Sequence, residues 1–317
     1  MMPFVTFLRA LAAILITNAH YTGVYPTDLI ANGGLLGDVL FFAVSGYCLY
    51  NIKLNFSKWY LKRIIRIFPA LFIITIIYLL FGCYSLDEHN LLWWFIYPTN
   101  YHFVSSIMIL YVLYYFVIKN KKICGINGKN ILYIILCSLI IQLVIYLFFY
   151  DRSYYHIDVV REHMIKFLFF DSMMLGAYFR NIEKPNNKFI SWLFMAILLV
   201  AYFGSKLFFV KYASYAYLQI INQYILLLLL FMLFKNIYSL NNKFSNMPKF
   251  VSNIIKFIAD LTLEIYFVQY VLIDKLRNVS FFPINWCVLT ISIILCAYIL
   301  HIVSNRIQSV LLKEKKL

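Results

Sequence analysis

Charge is what this 317-residue chain has least of: 13% of its residues are Asp, Glu, Lys or Arg, roughly half the ~25% of a soluble globular protein. Acidic residues are the scarcer kind, 13 against 28 basic ones. No polar stretch is long enough for a water-soluble domain, and there is no internal repeat, low-complexity segment or Gly/Ser-rich linker. The six cysteines (Cys48, Cys83, Cys124, Cys137, Cys287 and Cys296) are scattered, without a C-x-x-C pair. That excludes a disulfide framework and a zinc site, and no metal is expected. The cysteines are expected to serve as small core hydrophobes. The first segment lacks a basic leader and a small-x-small cleavage site, so it is expected to be an uncleaved span.

What is present is apolar. Hydrophobic residues make up 63% of the chain, with a mean hydropathy of +0.80. The expected fold is all-α, one membrane-embedded helical bundle over residues 1–317. Apolar runs of spanning length lie at about 4–24, 35–54, 68–84, 103–118, 131–150, 164–180, 189–209, 215–237, 252–273 and 284–304. These predict about ten spans. Leu91–Tyr97, with Trp93 and Trp94, is too short to cross and belongs at an interface, as do Tyr21 and Tyr25.

The net charge of +15 does not indicate nucleic acid, which would call for a basic soluble face. The basic residues alternate between loops instead. Twenty fall on one side, in the groups Lys53–Arg66, Lys119–Lys129, Arg180–Lys188, Lys235–Lys256 and Arg306–Lys316. Seven fall on the other: Arg152, Arg161, Lys166, Lys206, Lys211, Lys275 and Arg277. The positive-inside rule then places both termini in the cytoplasm, which an even number of spans requires. The largest external loops, about 85–102 and 150–163, have room for a lid but not for a domain.

Against this background a few charges stand out. Arg9 lies six residues into the first run, where a basic side chain costs on the order of 2.5–3.5 kcal/mol at a helix centre unless it snorkels to the interface. His20 follows eleven residues later. At 100° per residue the two fall about 20° apart on one helix face, and about 16 Å apart along the axis. Histidine is the side chain suited to accepting a proton near neutral pH. Arg63 and Arg66, three apart, share a face, and paired guanidinium forks suit a phosphate-bearing ligand. A basic helix beside anionic lipid is the plainer reading of the same residues. Pro69 is expected to break the segment that follows.

These pieces together resemble the acyltransferase-3 family of integral membrane O-acyltransferases. Arg9 and His20 resemble its first-helix motif. Gly37–Tyr47, containing Phe41-Phe42-Ala43-Val44-Ser45-Gly46, resembles its FFxxSG motif. Arg63-Ile64-Ile65-Arg66-Ile67-Phe68-Pro69 resembles its RxxR-x-x-Pro motif, and Leu261–Tyr266 its late-helix string. That string normally closes with a histidine, where this chain has Gln269, so Gln269 receives no catalytic role. The soluble esterase-like domain that some members carry is not expected here, so a second transfer step would need another protein.

The resemblance implies an enzyme of the bacterial cytoplasmic membrane that moves an acyl group from cytoplasmic acyl-CoA to an extracytoplasmic sugar hydroxyl. Acetyl, from acetyl-CoA, is the family's commonest group. The acceptor is a cell-surface or capsular polysaccharide or a lipid-linked sugar; the donor is a substrate and no cofactor is bound. His20 would be the general base, Arg63 and Arg66 the phosphate grip, and Arg9 their assistant. The interval from Arg9 to His20 matches what a pantetheine arm must span. Ser45 and Gly46 would allow close helix approach, Asp38 and Tyr47 would stand behind the reacting groups, and His102 is a reserve contact for the acceptor. Glu264, a buried carboxylate facing the basic site, would either pair with an arginine as a structural contact or stand with Asp38 and Tyr47 behind the reacting groups or at the acceptor. A secondary transporter or lipid-linked sugar flippase is the alternative, but it calls for paired broken helices and repeats that the sequence does not show. A polysaccharide polymerase would need a large external loop.

Overall fold

A computed structural model describes the chain except residues 1, 97, 98, 100, 121–127, 154–156, 160, 161, 186, 187 and 315–317. Cys124 and Tyr97, the external Arg161, and Lys121, Lys122, Lys315 and Lys316 of the basic loops therefore lie outside the described residues. Among the described residues the structure is helical, without strands.

The helices follow the apolar runs. In order they are α1 (Pro3–His20), α2 (Gly34–Leu49), α3 (Phe56–Leu80), the five-residue α4 (Leu91–Phe95), α5 (His102–Lys119), α6 (Gly128–Phe148), α7 (Ile165–Asn181) and α8 (Phe189–Lys211). A 3-10 turn at Ala213–Leu218 leads into α9 (Ile220–Ser239), α10 (Asn241–Ser245), α11 (Lys249–Asp260), α12 (Thr262–Leu276) and α13 (Ile284–Glu314). Seven of them, α1, α3, α5, α6, α8, α9 and α13, are long and apolar enough to cross a membrane. The other three predicted runs form the 16-residue α2, the 17-residue α7 and the α11–α12 pair.

Two boundaries differ from expectation. Pro69 does not break its segment; it is buried inside α3, which runs unbroken from Phe56 through Arg63 and Arg66 to Leu80. Proline removes the one bond to the carbonyl of Ile65, a loss that packed apolar surroundings tolerate. The run 252–273 is two helices rather than one. Leu261 leaves helical geometry (φ −87°, ψ 1°), and the two sides of the break differ in kind. Phe250, Val251, Ile254 and Phe257 of α11 are all exposed and fall on the face opposite Lys249, Asn253, Lys256 and Asp260, the pattern of a helix lying in a membrane interface. In α12, Glu264, Ile265, Phe267, Val268 and Gln269 are buried.

The cysteines are also not where they were expected. Cys48, Cys137, Cys287 and Cys296 are exposed and Cys83 is partly so; all five are free thiols. A thiol is apolar enough to face lipid at little cost, so the apolar context did not place them inside. Tyr21, read as an interfacial residue, is 3% exposed and shares a 2.9 Å hydrogen bond with Thr290 Oγ1.

The chain divides into two compact units. One comprises residues 1–8, 38–52 and 112–252. In it α2 and α7 meet through glycine. A Cβ on Gly46 would overlap the Met173 carbonyl, and one on Gly176 the Ala43 carbonyl, so two backbones touch where only hydrogen fits. Phe42 stacks on Phe169 at 4.3 Å beside this contact, and the hydroxyl of Tyr114 donates to the Gly46 carbonyl at 2.7 Å.

The other unit comprises residues 9–37, 53–111 and 253–317, and its helices are tied by side chains reaching across. Tyr78 donates to the Val268 carbonyl (3.0 Å), linking α3 to α12. Gln308 donates to the Arg66 carbonyl (3.2 Å), linking α13 to α3. Asn285 donates to the carbonyls of Val24 (3.0 Å) and Arg277 (3.2 Å), fixing the start of α13.

Candidate active site

The second unit holds Arg9, His20, Arg63, Arg66, His102 and Glu264. Asp38, Ser45, Gly46 and Tyr47 belong to the first.

His20 is the last residue of α1, and the half of the helix that carries it is held on two sides. On one side, Gly34 and Gly37 at the start of α2 pack against Ala12, Ile16 and Ala19, so closely that a Cβ on Gly37 would sit 2.7 Å from Ile16 Cγ1 and 2.9 Å from the Ala12 carbonyl. On the other, Thr17 Oγ1 donates to Gln269 Oε1 at 2.8 Å. Gln269 is 1% exposed, so this bond replaces hydration that its amide has lost. At the position where the resemblance leads to the expectation of a histidine, this chain has an amide that fastens α12 to α1. One residue on, the ring of Tyr270 meets that of His20 edge to face, with centroids 5.9 Å apart and planes at 78°.

Beside these two rings opens a cavity of about 410 Å³, within the ~300–1,000 Å³ range of small-molecule sites. Its wall includes His20 from α1, Tyr84 just beyond α3, and Tyr270, Asp274, Lys275 and Arg277 from α12 and its end. Asp274 and Arg277 form a 3.4 Å ion pair. Half-buried His102 is not on the wall; its carbonyl accepts a hydrogen bond from Ser105 at 2.8 Å, in the first turn of α5.

Arg9, Arg63 and Arg66 lie in the first halves of α1 and α3, away from the cavity. Arg66 precedes Leu80, where α3 ends near the cavity, by fourteen residues, or about 21 Å. Arg66 is exposed and Arg63 partly buried, its guanidinium 5.8 Å from the centre of the Trp59 ring. Arg9 is partly buried, eleven residues before His20 on the unbroken α1. Arg9, Arg63 and Arg66 are thus set back along α1 and α3 from the cavity that His20 lines.

Glu264 does not pair with an arginine. Its Oε1 lies 2.9 Å from His301 Nδ1, and His301 Nε2 lies 2.7 Å from Asn305 Nδ2. With Glu264 4% exposed, the chain ties α12 to α13. Nothing near the late string announced His301, thirty-seven positions away; the only signal was a second buried-run histidine. Tyr47 likewise has its own company in the first unit: Arg180 Nη1 donates to its hydroxyl at 3.4 Å, and that hydroxyl donates to Met2 Sδ at 2.9 Å. Gly46 makes the backbone contact described above. Asp38 is buried and Ser45 partly so.

Sequence reasoning passed over the cavity wall. Tyr270, Lys275 and Arg277 continue the late string, and both cations belong to the sparse side of the charge distribution, a signal that was readable and was not used. Among the described residues no cluster of His, Cys, Asp or Glu has the makings of a metal site.

Residues 2–303 match the model of a family described as an acyltransferase domain, acyltransferase-3. No curated protein and no solved structure matches the chain.

Proposed function

The chain belongs to the acyltransferase-3 family, and from that premise we propose that it acylates a hydroxyl of an extracytoplasmic cell-surface polysaccharide or lipid-linked sugar, with cytoplasmic acyl-CoA, acetyl-CoA in the simplest case, as donor. The observation that carries this reading is the polarity of the second unit: Arg63 and Arg66 lie in the first half of α3, and His20 lines a cavity beyond the end of that helix.

Donor and acceptor enter from opposite ends. Arg63 and Arg66 hold the phosphates of coenzyme A through paired charge-assisted bonds, with Arg9 assisting. The pantetheine arm runs along α1 and brings the thioester towards His20. His20 takes the proton of the acceptor hydroxyl as its oxygen adds to the thioester carbonyl. Collapse of the tetrahedral adduct expels the coenzyme A sulfur, which leaves with the proton returned by His20. The enzyme lies in the bacterial cytoplasmic membrane as one domain of ten spans, with both termini cytoplasmic.

The test is mass spectrometry of the surface polysaccharide from cells with the protein, without it, and with His20→Ala. The unaltered protein adds one acyl mass per modified unit. His20→Ala reduces transfer by ~10²–10⁴-fold, the usual contribution of a general base, at unchanged protein level. Acylation retained in the His20→Ala strain overturns the assignment. In membranes, Arg63→Ala and Arg66→Ala raise KM for acyl-CoA more than they lower kcat.

A further inference from the structure

We propose that the cavity beside His20 selects an acidic sugar, one whose ring carries a carboxylate or a phosphate, as the acceptor. This rests on the reading of His20 as the base of an acyl transfer.

Three features of the wall converge. Tyr270 is 59% exposed and lines the cavity next to His20, so it offers the apolar side of a sugar ring a flat surface. Lys275 and Arg277 line the same cavity. Asn285, itself 4% exposed, holds the backbone carbonyl of Arg277, and Asp274 Oδ1 lies 3.4 Å from Nη2 of its exposed side chain. A guanidinium has five N–H donors, so one carboxylate contact leaves others for a ligand. Among the described residues Lys275 has no ion pair. The wall therefore carries two cations against one carboxylate, and His20 lines the same cavity.

The location strengthens the inference. Only seven of the 28 basic residues fall on this side of the charge distribution, and two of the seven meet at one cavity. A neutral sugar filling this space would strip water from Lys275 and return nothing. An anionic one replaces the lost hydration with a charge-assisted bond. Held between Tyr270 and the two cations, the ring presents a neighbouring hydroxyl to His20.

The test uses membranes containing the full chain, radiolabelled acetyl-CoA, and surface polysaccharide purified from cells lacking the protein. The polysaccharide is offered untreated, after reduction of its carboxylates to alcohols, and after removal of its phosphates. The untreated acceptor is expected to be labelled at least tenfold faster than one of the two neutralised forms; which form fails identifies the anion. Lys275→Gln and Arg277→Gln, both at exposed positions, raise KM for the untreated acceptor. They leave its kcat unchanged and narrow the difference between untreated and neutralised acceptors, a split that a structural defect would not give. Equal labelling of all three polysaccharides overturns the proposal, as does an equal loss in the variants on every acceptor. If none of the three is labelled, or labelling persists in His20→Ala, the acyl-transfer reading fails instead.

Discussion

At the scale of single residues, the sequence announced the polar groups that an apolar helix has no reason to hold. Arg9 and His20 were legible because each costs free energy in lipid and the two fall on one face of an unbroken helix. The partners of such groups were not legible, since they come from elements far apart in the chain. Glu264 shows the difference. Its burial was foreseeable, but its partner, His301, lies on α13. Removing one partner of a mostly buried hydrogen bond typically costs about 1–3 kcal/mol. Glu264→Ala is therefore expected to lower thermal stability in detergent sharply. Glu264→Gln keeps an oxygen that can accept from His301 Nδ1 and restores most of it. If the pair only ties α12 to α13, the folded Glu264→Gln protein turns over at the unaltered rate. A large fall in kcat without a fall in stability would instead place Glu264 in the chemistry.

At the scale of helices, hydropathy located every long run because burial in lipid demands it whatever the tertiary structure. It could not see the break at Leu261, where apolar residues continue unchanged across two helices, one amphipathic and one buried. Nor could it foresee α3 passing through Pro69. The glycines separate two kinds of contact. Gly46 and Gly176 each face a backbone carbonyl, which cannot rotate away. Gly46→Ala and Gly176→Ala should thus exceed the ~1–3 kcal/mol usual for overpacking, and appear as loss of folded protein from membranes. Gly37 faces a side chain, Ile16, as well as the Ala12 carbonyl. Gly37→Ala is expected to accumulate to a greater level than Gly46→Ala, yet to lose activity, because relief of the clash moves the half of α1 that carries His20. Gly37→Ala with full activity would show that the α1–α2 contact does not position the base.

At the scale of the whole molecule, the open quantity is the number of crossings, for which ten is the number proposed above. The ends of α1 and α3 line one cavity, so the chain must return between them, and α2 is the helix that lies between. At 16 residues α2 is about 24 Å long, short of the ~30 Å hydrocarbon core but able to cross where the bilayer thins or neighbours shield it. α12 also runs toward the cavity, and α13 starts beside it, tied through Asn285, and returns to Arg66, tied through Gln308. The ten-span proposal counts the seven long helices together with α2, α7 and α12. Under that proposal both termini lie on the side with the excess of basic residues, the cytoplasmic one. Fluorescent-protein fusions, which mature in the cytoplasm but not after export through the general secretory route, are expected to be bright at either terminus. A cysteine replacing Asp87, in the exposed stretch after α3, is expected to react with an impermeant maleimide in intact cells, and one replacing Lys243 only after permeabilisation. One bright and one dark terminus would mean an odd number of crossings, and would put the arginines and the His20 cavity out of reach of the donor and acceptor assigned to them.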